Sequence, residues 1–210
     1  MSAFVKTPLE INPPPSLLFR PQCYVERIEL TQLFPHPQPL EVELGSGDGS
    51  FMLEWARRHP DHNLIGVERL LGRIRKLDRK GVRAGLKNLR AIRLEAAYLI
   101  EYLLPFASVE VLHVYFPDPW PKRKHRRHRL VNSHFTEVTA QILVPGGVVY
   151  LRTDDADYFG QMTTVFEANR LFKATETPQD LGAVLTDFER GFQARGVGTL
   201  RSAYRKSAQA

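Results

Sequence analysis

Cysteine is nearly absent: Cys23 is the single one in 210 residues. That excludes an internal disulfide and any metal site built from several thiolates, and it fits a reducing compartment. Cys23 itself reads as a small half-buried hydrophobe. Long apolar runs are also missing, since no stretch reaches the roughly 18 residues a membrane span needs. The N-terminus lacks the basic start, apolar centre and small-residue cleavage site of a secretory leader. The expectation is a soluble, cytoplasmic protein with no membrane contact. The seven histidines, His36, His59, His62, His113, His125, His128 and His134, lack the spacing of a metal site, so no metal is expected. His59-Pro60-Asp61-His62 reads as the turn after the first helix. Repeats and low-complexity tracts are absent too. At 43% hydrophobic residues the chain can fill one well-cored domain and is too short to need two.

Acid is missing from one place in particular. The eight residues Lys122 to Arg129 hold six Lys or Arg and two His, with no Asp or Glu. The whole chain has 29 basic and 23 acidic residues, so without those six the charges balance and the formal excess of +6 sits in this segment. A run of like charge is ordinarily a solvated loop, but one this dense is better sustained beside an anion, and it points to a polyanionic partner. If all six cations met phosphates, log K would fall with log salt at a slope of roughly −4 to −5. By contrast, the basic stretch from Arg69 to Lys80 is interrupted by Asp78 and reads as an ordinary solvated helix face.

Pro8 and Pro13 to Pro15 favour extended backbone, so residues 1–36 are expected to be an arm, partly disordered, ahead of a domain spanning 37–210. Apolar, branched runs at Leu40–Leu44, Leu64–Val67, Leu89–Leu94, Val109–Phe116 and Val148–Arg152 have strand length. Between them lie stretches of helical spacing, such as Leu70, Ile74, Leu77 and Val131, Phe135, Val138, Ile142. Strand followed by helix, five times over, implies a parallel sheet covered on both faces. Phe172–Thr175 and Gly198–Tyr204 add an antiparallel pair at one edge.

In open sheets of this kind, ligands bind outside the carboxyl ends of the strands. Glu43, Glu68, Glu95, Asp118 and Asp154 stand at five such ends. Any one of them could simply cap the following helix; five together call for a site. Glu43-Leu44-Gly45-Ser46-Gly47-Asp48-Gly49 lies between the first strand and a helix. Its glycines let backbone approach a ligand, while the position where a dinucleotide fingerprint has its last glycine holds Ser50. That spacing favours S-adenosylmethionine over NAD. Glu68 can accept bonds from ribose hydroxyls and would repel the 2′-phosphate of NADP.

After the fourth strand comes Phe116-Pro117-Asp118-Pro119-Trp120. Two prolines stiffen the turn that presents Asp118, and Trp120 can stack on a base, or can merely pack at the core edge. Thr186 and Glu189 have the spacing of a helix capping box.

Taken together, Glu43 to Gly49, Gly66-Val67-Glu68, Phe116 to Lys122 with its basic continuation, Arg152-Thr153-Asp154 and Thr186-Asp187-Phe188-Glu189 resemble the bacterial tRNA (guanine-N7)-methyltransferases, over about residues 40–204. The resemblance implies an α/β, Rossmann-like class I methyltransferase fold, with a mostly parallel seven-stranded sheet, helices on both faces and an antiparallel C-terminal pair. It implies S-adenosylmethionine as cofactor and tRNA as partner, with methyl transfer to N7 of a variable-loop guanosine. By the same resemblance Glu43, Gly45, Gly47, Gly49, Glu68, Glu95 and Asp118 match cofactor positions, and Asp118 also the catalytic one. Lys122, Asp154, Thr186, Asp187, Phe188 and Glu189, with Trp120, match substrate positions. Lys124, His125, Arg126, Arg127, His128 and Arg129 match the RNA-contacting segment. Two departures stand out: Glu95 replaces the usual Asp or Asn, and LGSGDG replaces the commoner IGFGNG. An amino-methyltransferase acting on another nucleic acid base, or an RNA-binding protein without turnover, are the alternatives. No protein partner is implied, and a monomer or homodimer is expected.

Overall fold

The computed structural model describes residues 16–208. After a short β1 (Leu18–Phe19) come β2 (Leu40–Leu44), α1 (Ser50–Arg58), β3 (Asn63–Val67), α2 (Leu71–Arg83), β4 (Leu89–Ile92) and α3 (Ala96–Tyr98). They are followed by β5 (Val109–Tyr115), α4 (Ser133–Ile142), β6 (Leu143–Thr153), α5 (Ala156–Ala168), β7 (Phe172–Thr175), α6 (Gln179–Ala183), α7 (Asp187–Gln193) and β8 (Leu200–Lys206). The strands form one sheet in the order β1-β4-β3-β2-β5-β6-β8-β7. All neighbours pair in parallel except β8, which runs antiparallel to both β6 and β7.

The expected alternation and the antiparallel edge are therefore present, with one strand more than the seven expected. The extra strand is β1, where Leu18 and Phe19 pair with Ala91 and Ile92. It is held from α2: Asp78 Oδ1 accepts from Leu17 N at 2.7 Å and from Ser16 Oγ at 3.1 Å. The Leu17 side chain lies over Gly81, where an added Cβ would come within 2.3 Å of its Cδ1. A two-residue strand has no readable period, so this docking is invisible in the sequence. Residues 1–15 of the expected arm lie outside the described residues. Residues 16–36, also assigned to it, lie on the domain and bury Ile28, Leu33 and Phe34. The segment after β4 is only briefly α-helical: α3 runs into a π-helical turn over Leu99–Leu103, and Leu104 is extended ahead of Pro105, the conformation favoured before a proline.

All five residues of β2 are buried, and alternation sends them to two different interiors. Leu40, Val42 and Leu44 join the larger apolar cluster with Leu112 and Val114 of β5. The other face, beneath Phe51, Met52 and Trp55 of α1, carries a polar stripe of Glu41, Glu43, His113, Tyr115, Tyr150 and Arg152. A buried charge is tolerated only when paired, and Glu41 is paired three times. It accepts from Trp55 Nε1 at 2.8 Å and from His113 Nε2 at 2.7 Å, and its second oxygen meets His62 Nδ1 at 2.5 Å. Burial works to raise its pKa, but the hydrogen bonds from His113, His62 and Trp55 outweigh it and hold the carboxyl at about 2. His113, pushed down mainly by burial, stays neutral and accepts from the Tyr115 hydroxyl at 2.8 Å.

Candidate active site

β2 and β5 are neighbours from which the chain departs in opposite directions, toward β3 and β4 on one side and β6 on the other. Loops leaving such a pair diverge and open a crevice at the strands' carboxyl ends. Here the loop after β2 has Gly45, Gly47 and Gly49 at φ of 81°, 56° and 86°, a region costly for residues with a Cβ. At Gly49, the N-cap of α1, a side chain would also collide with Leu77 Cγ at 2.7 Å. The Val67 carbonyl accepts from both Gly45 N and Ser46 N, at 2.9 and 2.8 Å, and closes the turn.

The crevice has two adjoining lobes of about 220 and 570 Å³ that share Gly45, Arg73, Tyr115, Phe116 and Phe188. The larger alone falls in the range of ~300–1,000 Å³ usual for small-molecule sites. The smaller is lined by Glu43, Gly45, Gly47, Thr186, Asp187 and Phe188. The larger is lined by Glu68, Glu95, Asp118, Trp120, Asp154 and, at its rim, His128. Eleven of the sequence-derived cofactor and substrate positions thus surround one cleft. Gly49 sits behind it, and Lys122 and residues 124–127 line neither lobe.

Glu43 is 3% exposed and its Oε2, like Ser46 Oγ, has no partner among the described residues. Burial, with the nearby charges of Glu68 and Asp48, pushes its carboxyl up to about 8, against the attraction of Arg152. Orphaned buried acceptors at the mouth of a glycine loop fit a polar, cationic ligand. Glu68 is buried, and its Oε1 accepts from Leu70 N at 2.7 Å. Glu95 caps α3 by accepting from Tyr98 N at 2.9 Å.

The acid of the Phe116–Trp120 loop is presented under backbone strain. Phe116 and Trp120 both have positive φ, 51° and 45°, a conformation costing on the order of 1–3 kcal/mol at each non-glycine residue. The Asp118 side chain between them is 73% exposed, with Arg69 Nη2 4.0 Å away. The Trp120 ring lies 5.3 Å from that of His128 and 5.9 Å from that of His125.

What holds the strained loop is a residue that the sequence assigned to RNA. Arg129 is buried, and its Nε donates to the Pro119 carbonyl at 2.7 Å, its Nη1 to Gln161 at 2.9 Å and its Nη2 to Asp157 at 2.6 Å. Arg126 shares Asp157 at 3.0 Å. Both positions were counted with the RNA-contacting run, yet Arg129 is consumed as a brace, because a buried guanidinium must find acceptors for its donors. Lys122, Arg123, Lys124 and Arg127 remain turned to solvent around a 3-10 turn.

Glu189, expected at the substrate, is likewise turned inward. It is fully buried and accepts from Arg152 Nη1 at 2.8 Å, Arg201 Nη2 at 2.9 Å and Thr186 N at 3.0 Å. The capping box of α7 is formed with Thr186. Arg152, absent from the predicted site, also donates to the carbonyls of Leu181 and Val184, at 2.6 and 2.9 Å. This pair clamps the segment 181–189 so that Asp187 N reaches Ser50 Oγ at 3.0 Å and Phe188 lies over the cleft. The available signal was an arginine inside an apolar strand.

A family profile described as "Putative methyltransferase" matches residues 37–201. A tRNA (guanine-N(7)-)-methyltransferase of Halorhodospira halophila is 36% identical over 160 residues, 72% of this chain and 66% of that one. The like-named protein of Geobacillus kaustophilus is 33% identical over 84% of this chain and 83% of its own length. The chain belongs to the tRNA (guanine-N7)-methyltransferase family. Among solved structures, the 16S rRNA methyltransferase KamB superimposes with a TM-score of 0.63 over 85% of this chain and 92% of its own, at 17% identity. That likeness is one of fold, and it agrees with the class I methyltransferase architecture of the family.

Proposed function

We propose that this chain transfers a methyl group from S-adenosylmethionine to N7 of a guanosine in the variable loop of tRNA. The observation that carries the reading is the joining, in one cleft, of the glycine loop and Glu68 with Asp118, Trp120 and Asp154, beside a turn that exposes five cations, of which Arg126 alone is paired with an acid among the described residues, Asp157. Glu43, the glycine loop, Glu68 and Glu95 would hold the cofactor, which when bound supplies a methyl carbon made electrophilic by its sulfonium. Proximity and in-line alignment carry much of the acceleration of such a displacement.

Guanine N7 carries its own lone pair, so with the cofactor held by these residues the N–C bond would form as the C–S bond broke, with sulfur as the leaving group. No proton departs, and the purine becomes cationic. Asp118 therefore has no need to act as a base. Its carboxylate orients the groups and stabilises the developing positive charge. Trp120 offers a stacking face, and Asp154 an acceptor in the same lobe. The exposed cations hold the RNA through its phosphates. Residues 37–210 form the catalytic domain in this reading. No helix among the described residues is long and apolar enough to cross a membrane.

The test is to incubate the protein with unmodified tRNA and S-adenosylmethionine, digest the RNA and identify the methylated nucleoside by mass and retention. 7-Methylguanosine from the variable loop is expected. A methyl group on an exocyclic amine, or tRNA binding without methylation, overturns the assignment.

A further inference from the structure

The end of the sheet away from the cleft carries a group of side chains that methyl transfer does not use. α1 is capped by His59, and Pro60 and Asp61 lead the chain to His62, just before β3 begins. One donor atom from each of His59, Asp61 and His62 lies within 4.8 Å of the other two. The group is compact enough for small side-chain rotations to bring three donors onto one ion at the ~2.0–2.2 Å usual for nitrogen and oxygen ligands.

The sequence reading took this tetrapeptide for a plain turn with no metal. The turn is present, but its surroundings are those of a prepared site. Asn88 Nδ2 ties the carbonyls of Ala56, His59 and His62 together at 3.1, 2.9 and 3.0 Å. The His59 ring is packed against Trp55, with centroids 3.9 Å apart. Behind His62 stands Glu41, with Oε1 at 2.5 Å from Nδ1. A carboxylate only accepts, so the hydrogen resides on Nδ1 and Nε2 keeps its lone pair. A carboxylate that fixes the tautomer of an imidazole from behind is the usual support of a metal-binding histidine. A solvated histidine turn requires no such buried partner.

We propose that His59, Asp61 and His62 bind one divalent transition-metal ion such as Zn²⁺, Co²⁺ or Ni²⁺, with Glu41 positioning His62. Two imidazoles and one carboxylate, with remaining positions open to water, suit these ions. Mg²⁺ and Ca²⁺ prefer oxygen shells. Asp61 is exposed, so the ion can enter and leave without unfolding.

The experiment uses the full chain, free of any affinity tag and dialysed against chelator, titrated with Co²⁺ by visible absorption and with Zn²⁺ by calorimetry. One equivalent of Co²⁺ per chain is expected, displaced by Zn²⁺ and unaffected by Mg²⁺. Asp61→Asn and His59→Gln, both at the protein surface, are each expected to weaken binding roughly tenfold or more. Glu41→Gln, which leaves all three ligands in place, is expected to weaken it about 10–100-fold. The two surface variants decide the matter if Glu41→Gln does not fold, with circular dichroism confirming that they do. No cobalt spectrum in the parent, or unchanged affinity in both surface variants, overturns the proposal.

Discussion

Glu41 and Glu43 stand on the same strand and the same face, 2% and 3% exposed, and end in opposite protonation states. At the amino end of β2, Trp55, His62 and His113 all point at Glu41 and keep it ionised. At the carboxyl end, Glu43 has an oxygen with no partner among the described residues and holds its proton. The difference is one of packing: one end is closed by the protein, the other left open to a ligand. An unsatisfied buried carboxyl is a stability cost that a binding site accepts.

The largest effect should come from removing the paired member. Glu41→Gln puts an amide nitrogen, which cannot accept, where Trp55, His62 and His113 donate, and is expected to destabilise the fold by about 1–3 kcal/mol, read from urea unfolding midpoints. Glu43→Gln should be nearly neutral in the ligand-free protein below pH 4.5, where an amide replaces a protonated carboxyl of the same shape, and stabilising relative to the parent as pH rises toward 8. Equal losses for the two would erase the contrast.

Next in size is the response to pH. Between 4.5 and about 8 the folded protein keeps a proton on Glu43 that the unfolded chain has released. Its contribution is complete below 4.5 and is lost as pH rises through about 8, by on the order of a few kcal/mol. Glu41 has the reverse sign: its contribution is present above 4.5 and is lost as pH falls through about 2. Unfolding followed from pH 5 to 9 should show stability falling, with the slope flattened in Glu43→Gln. If the positive end of the cofactor meets Glu43, its binding at pH 7 should also release a proton, seen as a binding enthalpy that changes with the buffer.

The open end should also respond in its chemistry. Asp118→Ala is expected to lower turnover by about 100-fold with tRNA affinity nearly unchanged, and full activity in that variant would remove Asp118 from the mechanism. The smallest effects concern RNA. Neutralising Lys122, Arg123, Lys124 and Arg127 together should flatten the log K against log salt slope by about 3 to 4. Arg129→Met, which loosens the Pro119 brace, should lower turnover and leave that slope unchanged. A slope change with Arg129→Met would return it to the RNA surface.

The strands, their alternation with helices, the glycine loop and the Asp118 loop were legible because each rests on local pattern: run length, period and turn residues. The docking of β1 was not, since it depends on Asp78 and Gly81, some sixty residues away in sequence. The inward turn of Arg129 and Glu189 was hidden for a related reason. Charge counts treat every cation in a run alike, and whether one faces solvent or a buried acceptor depends on Asp157, Gln161 and the Pro119 carbonyl.

The amino-acid sequence by itself determined the fold class, the place of the glycine loop, the acid at each strand end and the single basic segment, because these follow from composition and short-range spacing. Only the tertiary structure decided which charged groups are spent on one another. Burial and partner are properties of a side chain's neighbours in space, and they separate Glu41 from Glu43 although one residue lies between them in the chain.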